Sequence, residues 1–160
     1  MSFSEYFTHK PGGDRIFSVE APKIKFGRGS LQEVGDDAKA LGMKRVVVFT
    51  DPRVGQMEHV SKVVESLKSQ GLDAVVYDQV AVEPTDISFK DGSKFAIEGK
   101  FDGFVSVGGG SVMDTCKASN LYSCYPADFL DYVNAPIGKA IPVPGGLKPH
   151  IACPTTFGTA

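Results

Sequence analysis

One stretch of the chain places residues where backbone chemistry is available: Phe104-Val105-Ser106-Val107-Gly108-Gly109-Gly110-Ser111-Val112-Met113-Asp114. An apolar, β-branched run leads into three glycines, and a helix-forming segment follows. Glycines carry no Cβ, so a ligand can approach the backbone closely. The leading N–H groups of a helix, backed by its macrodipole, favour an anion. Ser111 can cap the helix and offer a hydroxyl to a phosphate. The combination suits a diphosphate, and the plain alternative is a tight strand-to-helix turn with no ligand. There is no GxGxxG, because Met113 sits where the third glycine would be, and no Gly-Lys-Ser/Thr follows to make a Walker loop.

A second candidate is Asp51, at the end of the Val46–Phe49 run. In a Rossmann site the ribose-binding acid follows the glycines by about 20 residues. Here the acid precedes them. Its carboxylate can accept from an adenosine ribose and would repel a 2′-phosphate, favouring NAD over NADP; the plain alternative is an Asp-Pro turn. A third candidate is Cys153-Pro154-Thr155-Thr156-Phe157-Gly158-Thr159, a hydroxyl cluster just after a strand, where open α/β sheets bind ligands.

These segments need a scaffold, and the hydrophobic pattern predicts one. Arg45–Thr50, Ala74–Tyr77, Phe104–Val107 and Ile151–Cys153 read as strands. Continuous β-branched runs of this kind belong to parallel strands covered on both faces. Between them lie helical stripes. Ser30 with Glu33 forms a capping-box pattern ahead of Leu31, Val34, Ala38 and Leu41. Met57, Val60, Val63, Val64 and Leu67 form a second stripe that Gly71 ends. Pro84-Thr85-Asp86 opens a third helix, which Gly92 interrupts. Ser111 to about Tyr122 is a fourth, and Phe129–Tyr132 is a short one. Near the N-terminus, Ile16–Glu20 and Lys23–Phe26 read as edge strands. The alternation predicts an α/β fold: a Rossmann-like parallel sheet with flanking helices, occupying residues 1–160 as one domain.

Composition narrows the partners. The 160 residues carry 17 Lys plus Arg and 19 Asp plus Glu, a net charge of −2, which argues against nucleic acid or a polybasic membrane partner. No apolar run approaches the roughly 18–20 residues of a membrane helix. The three cysteines, Cys116, Cys124 and Cys153, form no CxxC pair, and His9, His59 and His150 are far apart, so no metal ligands are expected in this chain. Reduced thiols and an N-terminus without a targeting pattern lead to an expectation of a cytoplasmic protein, or of the mitochondrial matrix if the source is a eukaryote. Six of the ten prolines fall between Pro126 and Pro154, predicting a long irregular segment.

Taken together, the motifs resemble the iron-containing alcohol dehydrogenase family. Gly108-Gly109-Gly110-Ser111-Val112-Met113-Asp114-Thr115-Cys116-Lys117 matches its GGGSxxDxxK, and Thr50-Asp51-Pro52, Glu83-Pro84-Thr85-Asp86 and Pro154-Thr155-Thr156-Phe157-Gly158-Thr159 match further segments. Ala118–Tyr122, Phe129–Val133, Ala135–Lys139 and Leu147-Lys148-Pro149 look like the hydroxyacid-oxoacid transhydrogenase branch.

The resemblance implies a dehydroquinate synthase-like N-terminal domain that binds NAD. Gly109, Gly110 and Ser111 would hold the pyrophosphate, Asp51 the adenosine ribose, and Thr155 and Thr156 would line the cleft. Pro84 and Thr85 would lie near the adenine, and Asp114, the motif's acid, joins the cofactor-binding set. The substrates implied are 4-hydroxybutyrate-like hydroxyacids, with 2-oxoglutarate as acceptor. The divalent metal of the family, iron or zinc, is held by an Asp and several His of a helical domain expected beyond Ala160, so the isolated chain is expected neither to turn over nor to bind metal. Self-association into a homo-oligomer is a further expectation. The rival readings are a non-catalytic nucleotide-binding module and, within the same architecture, dehydroquinate synthase chemistry.

Overall fold

The computed structural model describes residues 23–156. Four parallel strands form one sheet in the order β2-β1-β3-β4: β1 Arg45–Phe49, β2 Asp73–Tyr77, β3 Gly103–Gly108 and β4 His150–Pro154. Val47 stands opposite Val75 on one side and Phe104 on the other, and Val105 stands opposite Ile151. The four helices are α1 Val34–Ala40, α2 Glu58–Ser69, α3 Asp86–Gly99 and α4 Gly110–Cys124.

Side chains alternate across a strand, so β1 feeds two cores. Val46 and Val48 meet Val34, Ala38, Val60, Val63 and Leu67 of α1 and α2. Val47 and Phe49 meet Ala96 of α3 and Val112 and Cys116 of α4. The result is a three-layer sandwich with β1 and β3 buried in its centre. The α/β expectation holds, with each strand displaced from its predicted bounds by no more than one residue at either end.

Three local expectations change. Lys23–Phe26 forms no strand; Lys25 instead reaches Glu33 and Asp37 at 2.7 Å, an exposed pairing that lowers the Asp37 carboxyl and raises the Lys25 amine. Ser30 is not a helix cap. It begins a 3-10 turn, Ser30–Glu33, after Gly29 in the left-handed region at φ 93°, and no side-chain cap bond forms. Phe129–Asp131 forms the short helix expected there, as a single 3-10 turn. The predicted strand Ile16–Glu20 lies outside the described residues.

Gly92 does not interrupt α3. It is where α3 and α4 cross: a Cβ there would lie 2.8 Å from Ser119 Oγ and 3.3 Å from Thr115 Cγ2. Thr85 caps this helix, accepting from Ser88 N–H while Ser88 Oγ accepts from Thr85 N–H. After α4, the irregular segment is pinned by Asn120, whose Nδ2 donates to Lys148 O at 2.8 Å while Lys148 N–H donates back to Oδ1. The amide side chain thus pairs with backbone as a strand neighbour would, and holds the entry to β4.

Gly92→Val should lower unfolding stability by about 2 kcal/mol, the usual cost of overpacking a tight contact. Urea titration would show it as a reduced midpoint at constant slope.

Candidate functional site

The strand order places the site. From β1 the chain crosses through α2 to β2, then returns past β1 through α3 to β3. The connections leaving β1 and β3 therefore depart to opposite faces, and a crevice opens beyond their carboxyl ends, where open α/β sheets take ligands. Phe49 pairs with Ser106, so both strands release their chains at the same edge. Asp51 follows from β1, Gly108–Ser111 from β3 and Thr155–Thr156 from β4. The sheet brings the predicted residues of the three segments to one edge.

At the centre is the turn into α4. Gly108 ends a fully buried strand, and a Cβ on it would sit 2.5 Å from Val112 Cγ2. Gly109 is the N-cap in extended conformation. Its carbonyl accepts from both Val112 and Met113 N–H at 3.1 Å, so the helical ladder starts there and Gly110 and Ser111 N–H lead it without helical partners. A Cβ on Gly109 would meet Thr156 Oγ1 at 3.2 Å, whereas one on Gly110 would point into open space. Thr155 N–H donates to Gly108 O at 2.9 Å, fastening the hydroxyl segment to the turn.

Ser111 does not cap α4, because the cap position belongs to Gly109 and no side-chain cap bond forms. Its hydroxyl instead donates to Val82 O, in the loop between β2 and α3. Asp51 Oδ1 accepts Arg53 N–H at 2.9 Å and Val54 N–H at 3.0 Å, shaping the turn that follows β1. Asp114 is exposed, 3.9 Å from Lys117 across one turn of α4, and caps nothing. Thr85 serves α3 as its cap.

Sequence reasoning missed a half-buried polar pair within the sheet. On the α4 side of the sheet, Ser106 Oγ lies 2.9 Å from His150 Nε2, joining β3 to β4. Burial, with the Lys117 charge adding to it, pushes the His150 imidazole down to about 4. Nothing local marks this pair, since its members are 44 residues apart. Two open grooves among the described residues lie elsewhere. One, of about 380 Å³, runs between α3 and Pro126–Phe129; the other, of about 590 Å³, is lined by Gly27–Gln32, Glu58, His59 and Lys62. Neither borders the glycine turn. Among the described residues no three His, Cys, Asp or Glu side chains gather as metal ligands, so these residues do not fit the family's metal.

A parallel sheet covered by helices on both faces, with a glycine turn at its switch point, defines an α/β protein. The family model for iron-containing alcohol dehydrogenases matches residues 21–160, and the chain belongs to that family. A mitochondrial hydroxyacid-oxoacid transhydrogenase of Rattus norvegicus is 52% identical over 91% of this chain, which spans 32% of that relative. The chain thus covers about a third of the curated relatives it matches. Among solved structures, a 1,3-propanediol oxidoreductase superposes with a TM-score of 0.79 at 28% identity, covering 91% of this chain and 37% of its own. The NADH-dependent butanol dehydrogenase A of Thermotoga maritima gives 0.75 at 26%, covering 86% and 34%. These relatives are named as oxidoreductases.

The low imidazole value has a consequence for stability. The unfolded chain protonates His150 near the ordinary imidazole value of 6.5, the folded chain only near 4. Between these values the unfolded state binds more protons, so stability is full above about pH 6.5 and falls as pH drops toward 4, by up to ~3 kcal/mol. Urea midpoints at pH 7 and pH 5 should differ in wild type, and the difference should shrink in His150→Leu.

Proposed function

We propose that this unit binds NAD(H) at the turn between β3 and α4. On this reading, the complete enzyme moves a hydride between 4-hydroxybutyrate-like hydroxyacids or alcohols and NAD or a 2-oxoacid. The observation that carries the reading is the pair of N–H groups at Gly110 and Ser111, which meet no partner among the described residues and are held at the switch point of a parallel sheet. Glycine at 109 and 110 keeps side chains out of the space in front of them.

Bound there, the nicotinamide supplies hydride transfer. The chain's own residues do the holding. Gly110 and Ser111 N–H groups receive the pyrophosphate, with α4's dipole behind them. Asp51 stands at the exit of β1, where the ribose of the adenosine half would lie, and its carboxylate accepts from ribose hydroxyls. Thr155 and Thr156 wall the cleft on the β4 side. The NADH dependence of the butanol dehydrogenase supports the choice of cofactor. The names of the curated relatives support the substrate class, and their mitochondrial location supports a mitochondrial setting over the cytoplasm. No described helix is long and apolar enough to cross a membrane.

Gly110→Val projects its side chain into open space, so the fold should survive while the pyrophosphate is displaced. NADH affinity, read by fluorescence titration, should fall by roughly a hundredfold, the loss expected for two charge-assisted hydrogen bonds. Unchanged affinity would remove the turn from the site.

Asp51→Ser should narrow the NAD-over-NADP affinity ratio by about tenfold, as one like-charge repulsion is relieved. An unaltered ratio would leave Asp51 a turn residue only.

A further inference from the structure

The loop between β2 and α3 passes over the start of α4, and three anchors fix its course. Val80 N–H donates to Thr50 O at 3.3 Å, and the Val80 side chain is buried in the α3–α4 core. Thr85 anchors the far end as the cap of α3. Between these anchors the loop has one side-chain tether among the described residues, the hydroxyl of Ser111 donating to Val82 O. Val82 itself is largely exposed, so packing of its own side chain does not hold this part of the loop.

A serine hydroxyl has a single proton to donate. With that proton given to Val82 O, the Ser111 side chain has none left for a phosphate oxygen. The backbone N–H of the same residue remains directed ahead of the helix. The two halves of Ser111 are therefore divided between two tasks.

We propose that the Ser111 hydroxyl is a positioning group: it latches the 78–85 loop to the first turn of α4, so that the loop forms a fixed wall of the dinucleotide cleft. This rests on the reading of the turn as a dinucleotide site. Without the latch, the loop must be ordered at the moment of binding, and that entropy is subtracted from cofactor affinity. Gly110 carries no such duty, which separates the two neighbouring positions: one acts through its N–H alone, the other through its N–H and, indirectly, through its hydroxyl.

The test compares wild type, Ser111→Ala and Ser111→Thr by hydrogen exchange of the 78–85 segment in the cofactor-free chain, followed by NADH titration. Ser111→Ala should speed exchange at Val80 by about fivefold and weaken NADH by a similar factor, the usual effect of one lost hydrogen bond. Ser111→Thr, which keeps a hydroxyl, should restore both to within about twofold of wild type. Exchange unchanged in Ser111→Ala would overturn the latch, and NADH weakened with exchange unchanged would show that the hydroxyl meets the phosphate directly. A loosened loop with NADH affinity unaltered would overturn the positioning role. Failure of wild type to bind NADH would instead sink the cofactor reading, while the exchange arm still decides the latch.

Discussion

The contact on which the site depends is the close approach of α4 to the end of β3. Val112 Cγ2 stands where a Cβ of residue 108 would be, 2.5 Å from its ideal position, so only glycine lets the helix start this near the sheet. The nearness sets where the helix points. With α4 seated against β3, its leading N–H groups face the crevice beyond the sheet rather than the solvent at its side. Any residue larger than glycine would push the helix outward, and the anion-directed groups would leave the switch point with it.

That seating is supported from the far side by polar groups in an apolar layer. Thr115, Ser119 and Asn120 are buried on α4, an unusual load for one helix. Each answers a specific need. Thr115 Oγ1 donates to Ser111 O at 2.8 Å inside the helix. Ser119 is small enough to admit Gly92 of α3 at the crossing. Asn120 holds Lys148 and so the entry to β4. Because β4 carries Thr155 and Thr156 to the crevice, the interior of α4 positions both walls that meet at the glycines. The half-buried imidazole of His150, bonded to Ser106, fixes the same strand to β3.

The layers of the fold were legible because central parallel strands need both faces apolar, and Val46-Val47-Val48-Phe49 meets that condition without help from neighbours. The glycine turn was legible for the same local reason. What escaped was set by contacts distant in sequence. Gly92 looks like a helix breaker along the chain and is a crossing point in space. Ser30 has the spacing of a cap, but the left-handed Gly29 starts a 3-10 turn there instead. Lys23–Phe26 alternates like a strand, yet it joins no strand of the described sheet, and Lys25 is held instead by Glu33 and Asp37. Ser111 reads as a cap and phosphate ligand from its neighbours alone; its partner Val82 lies 29 residues earlier.

On the proposed reading of the site, Asp51 would combine a turn role and a ligand role in one carboxylate. Both backbone bonds described for it fall on Oδ1, from Arg53 and Val54 N–H. They hold the plane of the group at the exit of β1 without using its second oxygen. A free aspartate side chain would have to be ordered by its ligand, at a cost in affinity. One already ordered by its own turn presents an oxygen in a fixed direction at no such cost. The Asp-Pro turn is therefore not a competitor of ribose recognition. It is the means by which a short side chain on a loop acquires the rigidity of the strand it follows.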